Sequence, residues 1–168
     1  MAMNSNLLID WSVVMAQAND ISALNLTLAK RISIALASGS TVSQADLFYD
    51  DTRTLGTTGL DALNLFTGLT NGANLAVSFR KLKAMLLIAS ATNGQFITVS
   101  QPTTTGLSGL FSTTGAGIIL RPGSYFAWAA GSADGTCVAV TSGAATINVL
   151  NSGVPTISYD LVLIGTTV

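Results

Sequence analysis

Carboxylates are the side chains of this chain with the widest scope for chemistry. All eight acidic residues are Asp, and the chain contains neither Glu nor His. Asp50 and Asp51 are adjacent and Asp61 follows soon after; two convergent carboxylates could hydrolyse a glycosidic bond, and a group including Asp134 could bind Ca²⁺. Neighbouring residues of a strand point to opposite faces, however, so Asp50 and Asp51 cannot both face one substrate. We interpret the pair as an exposed strand end or turn, and predict no catalytic residue and no metal ligand.

Nucleophilic catalysis has no general base to support it. The absence of His excludes His-dependent Ser and Cys triads and the His-bearing zinc sites. Cys137 is the single cysteine, so no intrachain disulfide can form, and in the strand-like "GTCVAV" it is predicted to be a small buried apolar residue. The sequence therefore predicts a protein that is not an enzyme, with no cofactor and no small-molecule substrate.

Cations are dense at one place, the segment "FRKLKAM", which contains Arg80, Lys81 and Lys83. Such charges keep the start of a very apolar strand soluble, or they bind an acidic surface of a protein partner. Nucleic acid is a poor candidate, because a chain of net charge -1 with seven scattered cations cannot neutralise many phosphates.

Charge is scarce throughout the 168 residues. Charged residues are 9% of the chain, against about 25% in a typical soluble domain, and hydrophobic residues are 49%. No run approaches the roughly 18 apolar residues of a membrane-spanning helix. The N-terminus lacks Lys or Arg before its first apolar patch, so no secretory signal is expected. A surface with so few charges is typical of a subunit of a larger assembly.

The first 45 residues differ from the rest and predict an N-terminal arm, residues 1–45. Apolar residues at three- and four-residue steps indicate two amphipathic helices. The residues of the first are Leu7, Leu8, Trp11, Val14, Met15 and Ala18, and those of the second are Ile21, Leu24, Leu28, Ile32 and Leu36. The alternation of Leu24, Leu26 and Leu28, continued by Ile32 and Ile34, equally favours strands or an extended arm.

Residues 46–168 have the pattern of a mainly β domain. Short segments rich in β-branched and aromatic residues alternate with turn residues, as in "RPG" (121–123) and "GSADG" (131–135). This spacing predicts an antiparallel β-sandwich or jelly roll. "KAMLLIA" and "DLVLIG" are apolar at nearly every position, so both faces of these strands are expected to be covered, as in central strands or at a subunit interface.

Five motifs follow one another in this region. They are "FYDDTRTL" (48–55), "FTGLTNGANL" (66–75), "FRKLKAMLLI" (79–88), "RPGSYF" (121–126) and "YDLVLIGT" (159–166). In this order residues 46–168 resemble a group of tailed-bacteriophage virion proteins of the capsid cement or decoration type. The chain departs from that pattern at Ser124, where a second Gly is usual, and in the inserted stretch 141–156.

The resemblance implies a non-enzymatic structural protein of the bacteriophage virion. It would be made in the host cytoplasm, lie on the capsid surface, associate with itself as a dimer or trimer, and bind the major capsid protein. A different reading is a receptor- or carbohydrate-binding knob of a tail or head fibre. From the arm and the cations we predict the residues of the partner interface, which are Leu7, Trp11, Val14, Met15, Arg53, Arg80, Lys81 and Lys83.

Overall fold

The fold is mainly β, as the sequence predicts. A computed structural model describes residues 5–18, 23–71, 74–131 and 137–168, and every regular element within these ranges is a strand. No helix suited to crossing a membrane occurs among them. The strands are β1 Ser5–Ala18, β2 Ala23–Ser38, β3 Gln44–Ala45, β4 Leu47–Leu55, β5 Leu60–Asn64, β6 Leu69–Thr70, β7 Ala76–Val77, β8 Lys81–Ala89, β9 Ile97–Ser100, β10 Gly117–Leu120, β11 Tyr125–Ala129, β12 Val138–Ala139, β13 Thr146–Asn151 and β14 Ile157–Thr166.

Two antiparallel sheets contribute to one core. The five-stranded sheet has the order β11-β8-β14-β4, with β12 also pairing with β8, and the four-stranded sheet has the order β10-β9-β13-β5. Side chains from both sheets form one buried cluster, which is consistent with a β-sandwich. From the five-stranded sheet come Tyr49, Met85, Leu87, Leu161 and Leu163, and from the four-stranded sheet come Leu63, Ile97, Val99, Ile147 and Val149.

The two most apolar segments are central strands of the five-stranded sheet, one of the two positions that their composition predicted, but the expected cover of both faces is only partial on the outer side. β8 and β14 pair with each other, and each has a further neighbour on its other side. Leu161 and Leu163 are fully buried, whereas Val162 and Ile164, on the outer face of the sheet, are half-buried. The stretch 141–156, which departs from the phage-protein pattern, supplies β13, a central strand of the other sheet.

The predicted helices of the arm are wrong. β1 and β2 form one antiparallel hairpin, in register along all of β1, and the extended alternative describes it correctly. The residues that suggested a helix fall on both faces of the ribbon, with Leu7 on one face and Leu8 and Val14 on the other. Alternate positions also carry Ile9 and Val13, so a period of two competes with the helical period, and β-branched residues favour the strand. Ile21, also assigned to a helix, lies outside the described residues.

The turn at 121–124 takes the conformation that its residues favour. Ser124 N donates to the Arg121 carbonyl at 2.9 Å, and Gly123, with φ of 77°, occupies the position of a type II turn that needs positive φ. The other predicted turn, "GSADG", lies outside the described residues except for Gly131. Cys137 is half-buried rather than buried.

Gly165 is required where β14 meets β8. The register of the two strands shifts between Ile164 and Gly165. A Cβ on Gly165 would lie 2.1 Å from the Lys81 carbonyl oxygen and 2.7 Å from Cδ1 of the buried Phe79. We expect Gly165→Ala to lower the free energy of unfolding by about 3 kcal/mol through this overpacking, measured by urea denaturation. Gly143→Ala, whose Cβ would meet nothing within 4 Å, is the control; equal stability of the two variants would contradict the prediction.

Candidate interaction surface

The arm is an amphipathic ribbon. Here "the arm" means β1 and β2, and because opposed residues of an antiparallel pair share a face, the register divides its side chains into two sets. The apolar face contains Leu7, Ile9, Val13, Leu28, Ile32, Ile34 and Leu36, with Lys30 as the charged residue among its described side chains. The opposite face contains Asn6, Leu8, Asp10, Ser12, Val14, Ala29, Arg31, Ser33 and Ala35. On this opposite face Ser33 Oγ donates to Asn6 Oδ1 at 3.0 Å.

The apolar face is covered at the base of the arm and uncovered further out. Leu36 is buried, and Leu7 lines an apolar cleft with Leu86, Val162 and Ile164 on the outer face of the five-stranded sheet. Beyond this base, Val13, Leu28 and Ile32 are 46%, 58% and 56% exposed. The described part of the chain thus leaves these three side chains in contact with water.

Polar contacts fix the base of the arm to the body. Lys83 is 3% exposed, and its Nζ donates to the Thr41 carbonyl at 3.2 Å. β3 pairs in parallel with the end of β2, and Gln44 Oε1 accepts from the Thr41 hydroxyl at 2.7 Å. Asp46 then accepts from Thr167 N at 2.9 Å. Residues 37–46 are therefore a hydrogen-bonded junction between the arm and the body.

The outer face of the five-stranded sheet continues the apolar surface that the base of the arm covers. Beside the half-buried Val162 and Ile164, the side chains of Phe48, Ile88 and Tyr125 are exposed. Two carboxylates, those of Asp50 and Asp160, lie on the same face. Asp50 is opposite Val162 and Asp160 is opposite Thr52. The two acids are therefore diagonal neighbours on adjacent strands, with their Cα atoms about 7–8 Å apart.

The outer face of the four-stranded sheet is a second apolar surface. Ile119, Thr98, Leu150 and Leu60 lie opposite one another in a row across its four strands. Ile119, Leu150 and Leu60 are exposed. The strand residues that share this face, all of them described, include no charged side chain.

The predicted interface residues do not form one surface. In the arm, Leu7 is half-buried against the sheet and Val14 is exposed on the opposite face; the side chains of Trp11 and Met15 lie outside the described residues. Near β8, Lys81 is half-buried and Lys83 is buried. Arg80 lies over the Phe66 ring, 3.9 Å from its centroid, and donates to Ser78 Oγ at 2.8 Å.

Arg53, the eighth predicted interface residue, joins the two sheets. Its Nε and Nη2 donate to the two carboxylate oxygens of Asp61 on β5, and its Nη1 donates to Asp51 at 2.9 Å. The Tyr159 hydroxyl also donates to Asp61, at 2.6 Å, and the Tyr49 hydroxyl donates to Asp51, at 2.9 Å. The hydrogen bond to Asp61 raises the pKa of Arg53, and burial, followed by the hydrogen bonds to these carboxylates, raises the pKa of Tyr159 and Tyr49.

We call this network the clamp, because it joins the two sheets. Arg53 donates to oxygens of both Asp51 and Asp61, so the two carboxylates share one cation. Asp50 lies on the other side of its strand, as alternation predicts. Within the described ranges, no three His, Cys, Asp or Glu side chains are grouped closely enough to hold a metal ion.

Comparison with known proteins adds no relative. No family model, curated protein or solved structure matches the chain.

The sequence did not single out Lys30 or the contact between Arg53 and Asp61. Lys30 was detectable, because it shares the period-two phase of Leu28 and Ile32. The contact between Arg53 and Asp61 was not, because it depends on how two sheets face each other.

Removal of the Asp61 carboxylate tests the clamp. Asp61→Ala leaves the Tyr159 hydroxyl and part of the Arg53 guanidinium without their acceptor, so we expect the free energy of unfolding to fall by about 2 kcal/mol. Asp50→Ala removes an exposed carboxylate from the same region and is expected to change stability by less than about 0.5 kcal/mol. Urea denaturation of both variants measures the difference, and similar losses would contradict the assignment.

Alkaline pH tests the buried phenols. An unfolded tyrosine titrates near pH 10, and the folded pKa of Tyr49 and Tyr159 is higher. Their contribution to stability is therefore present below about pH 10 and lost as the pH rises above it, because the unfolded chain releases protons that the folded chain keeps. Above pH 10, loss of the proton from one of these tyrosines in the unfolded chain alone lowers the free energy of unfolding by at most about 1.4 kcal/mol per pH unit.

Urea unfolding at about pH 8 and about pH 11 measures this loss. We expect Tyr159→Phe to be less stable at the lower pH, since a hydrogen bond is lost, and to lose less stability between the two pH values than the unaltered protein. An equal loss in both proteins would show that Tyr159 does not carry the effect.

Proposed function

We propose that this chain is a non-enzymatic structural protein of the tailed-bacteriophage virion, a capsid cement or decoration protein. It lies on the capsid surface, associates with itself and binds neighbouring major capsid subunits. The observation that carries the proposal is the arm, whose apolar face is uncovered beyond its base. A two-stranded ribbon is marginally stable in water by itself, and a face of this kind is suited to docking on another subunit of an assembly.

The body fits the same role. We infer a jelly-roll arrangement of its two sheets, and a contact with the major capsid protein through the uncharged row of Ile119, Leu150 and Leu60. The docked arm joins neighbouring subunits and so strengthens their binding to the head. Apolar side chains exposed on a nearly uncharged surface favour permanent contact with a large partner. The low charge of the whole chain follows, because assembly covers much of its surface. Binding then depends on buried apolar area and on strand pairing, and involves no catalysed reaction.

Substitutions on the two faces of the arm test the proposal. Val13→Thr with Leu28→Thr places a β-branched residue, which favours a strand, at both positions but removes apolar area from the apolar face. We expect this double variant to bind heads assembled without the protein roughly 30-fold more weakly, since about 1 kcal/mol is lost at each position. Co-sedimentation of the protein with purified heads measures the affinity, and electron microscopy of the decorated heads gives the position of the protein.

The matched control is Leu8→Thr with Val14→Thr, two changes at exposed positions on the opposite face. We expect it to bind as the unaltered protein does. Equal losses in the two double variants, or binding by neither protein nor variants, would contradict the proposed role. These substitutions are preferable to deletion of residues 1–40, because deletion also uncovers Val162 and Ile164.

A receptor- or carbohydrate-binding knob of a fibre is the second candidate. Tyr125 is 63% exposed directly after the turn at 121–124, and exposed aromatic rings are suited to sugar binding. Binding of the purified protein to immobilised glycans, with loss of that binding in Tyr125→Ala, would favour this role. The absence of binding to any glycan would leave the capsid role as the better account.

A further inference from the structure

We propose that the apolar face of the arm binds the outer face of the five-stranded sheet of a second copy of this chain, with Lys30 placed against Asp50 and Asp160. This inference rests on the proposed function, since it names the subunit on which the arm docks. The two surfaces are the ones described above, and each is incompletely covered within its own chain.

Exposure supports an occupant outside the chain. Val13, Leu28 and Ile32 lie on the apolar face of the arm and are 46%, 58% and 56% exposed. Nothing in the described part of the chain covers these three side chains, so their cover must come from another molecule.

Continuity supports the second copy in particular. At the base, Leu7 of the apolar face and Leu86 and Val162 of the outer sheet face line one apolar cleft, so the two kinds of surface already lie side by side in one chain. The same sheet face leaves Ile88 and Tyr125 exposed at its other end. A second copy offers this surface with its complementary arm, so two copies could cover both surfaces through one repeated, reciprocal contact.

Charge complementarity fixes the pairing. Lys30 is exposed on the apolar face of the arm, and no ion pair of Lys30 occurs within the described part of the chain. Asp50 and Asp160 are exposed diagonal neighbours on the sheet face, and Asp160 accepts one hydrogen bond, from Thr52 Oγ1 at 2.6 Å. A cation within an apolar surface is costly to bury unless an acid faces it. Two carboxylates within reach of one ammonium group would satisfy Lys30 and set the register of the arm on the sheet.

The test reverses these charges. Lys30→Asp gives a copy whose arm and sheet are both acidic, and Asp50→Lys with Asp160→Lys gives a copy whose arm and sheet are both basic. We expect the unaltered full chain to have about twice the 17.2 kDa mass of one chain by light scattering. Each altered protein alone should dissociate at least about tenfold more readily because like charges meet, and an equal mixture of the two should recover the double mass.

Two matched single variants separate the faces of the arm. Lys30→Ser removes the cation from the apolar face, and Arg31→Ser removes the adjacent cation from the opposite face. We expect the first to weaken association and the second to leave it unchanged. Circular dichroism verifies that each variant is folded, and Asp50→Lys alone replaces the double change if that protein does not fold.

The outcomes distinguish this inference from the proposed function. A monomeric unaltered protein, an effect of Arg31→Ser equal to that of Lys30→Ser, or folded charge-reversed proteins that do not pair would overturn the inference. If such a protein still binds phage heads, the proposed function stands without it. If the charge-reversed copies pair as expected and the protein binds no heads, the inference stands and the proposed function fails.

Discussion

The pairing of β8 with β14 is the constraint on which the rest of this structure depends. Both strands carry apolar side chains on both faces, so a sheet built around them needs cover on two sides. The four-stranded sheet covers the inner side, where Leu87, Leu161 and Leu163 are fully buried. On the outer side, Leu7 at the base of the arm lines one apolar cleft with the half-buried Val162 and Ile164. The arm is therefore a component of the fold at its base before it can serve as a docking element further out.

Residues 37–46 connect the arm to the body, and their hydrogen bonds fix the end of the arm to the five-stranded sheet. Lys83 places its ammonium group against the Thr41 carbonyl while its alkyl stem is buried, and Asp46 accepts from both the amide and the hydroxyl of Thr167. These contacts use two of the few charges in the chain to orient the arm at the edge of the five-stranded sheet. The sequence assigned Lys83 and Arg80 to solubility or to a partner, but both make contacts within the subunit. Lys83 binds the Thr41 carbonyl, and Arg80 lies over the Phe66 ring.

Composition and turn residues were sufficient to predict the β class, the central position of β8 and β14, and the turn at 121–124. They were not sufficient for the arm, because the positions of Leu7, Leu28 and Ile32 fit a period of two as well as the helical period, and only the partner strand decides between them. They also failed for Arg53, which meets Asp61 across two sheets. Interactions of that kind depend on the packing of the sheets and leave no periodic signal in the sequence.

The residues that first suggested chemistry illustrate how scarcity of charge shapes this protein. Asp51 and Asp61 are held by one Arg53, and both ion pairs of the described residues belong to that group. With Tyr49 and Tyr159 buried beside them, these charges tie β4 to β5 at the margin of the core. Because Arg53, Asp51 and Asp61 are paired with one another within the subunit, few charged residues remain to define contacts with another subunit. In the proposed contact, Lys30, the charged residue among the described side chains of the apolar face of the arm, carries much of the information about register, because apolar area by itself is non-directional.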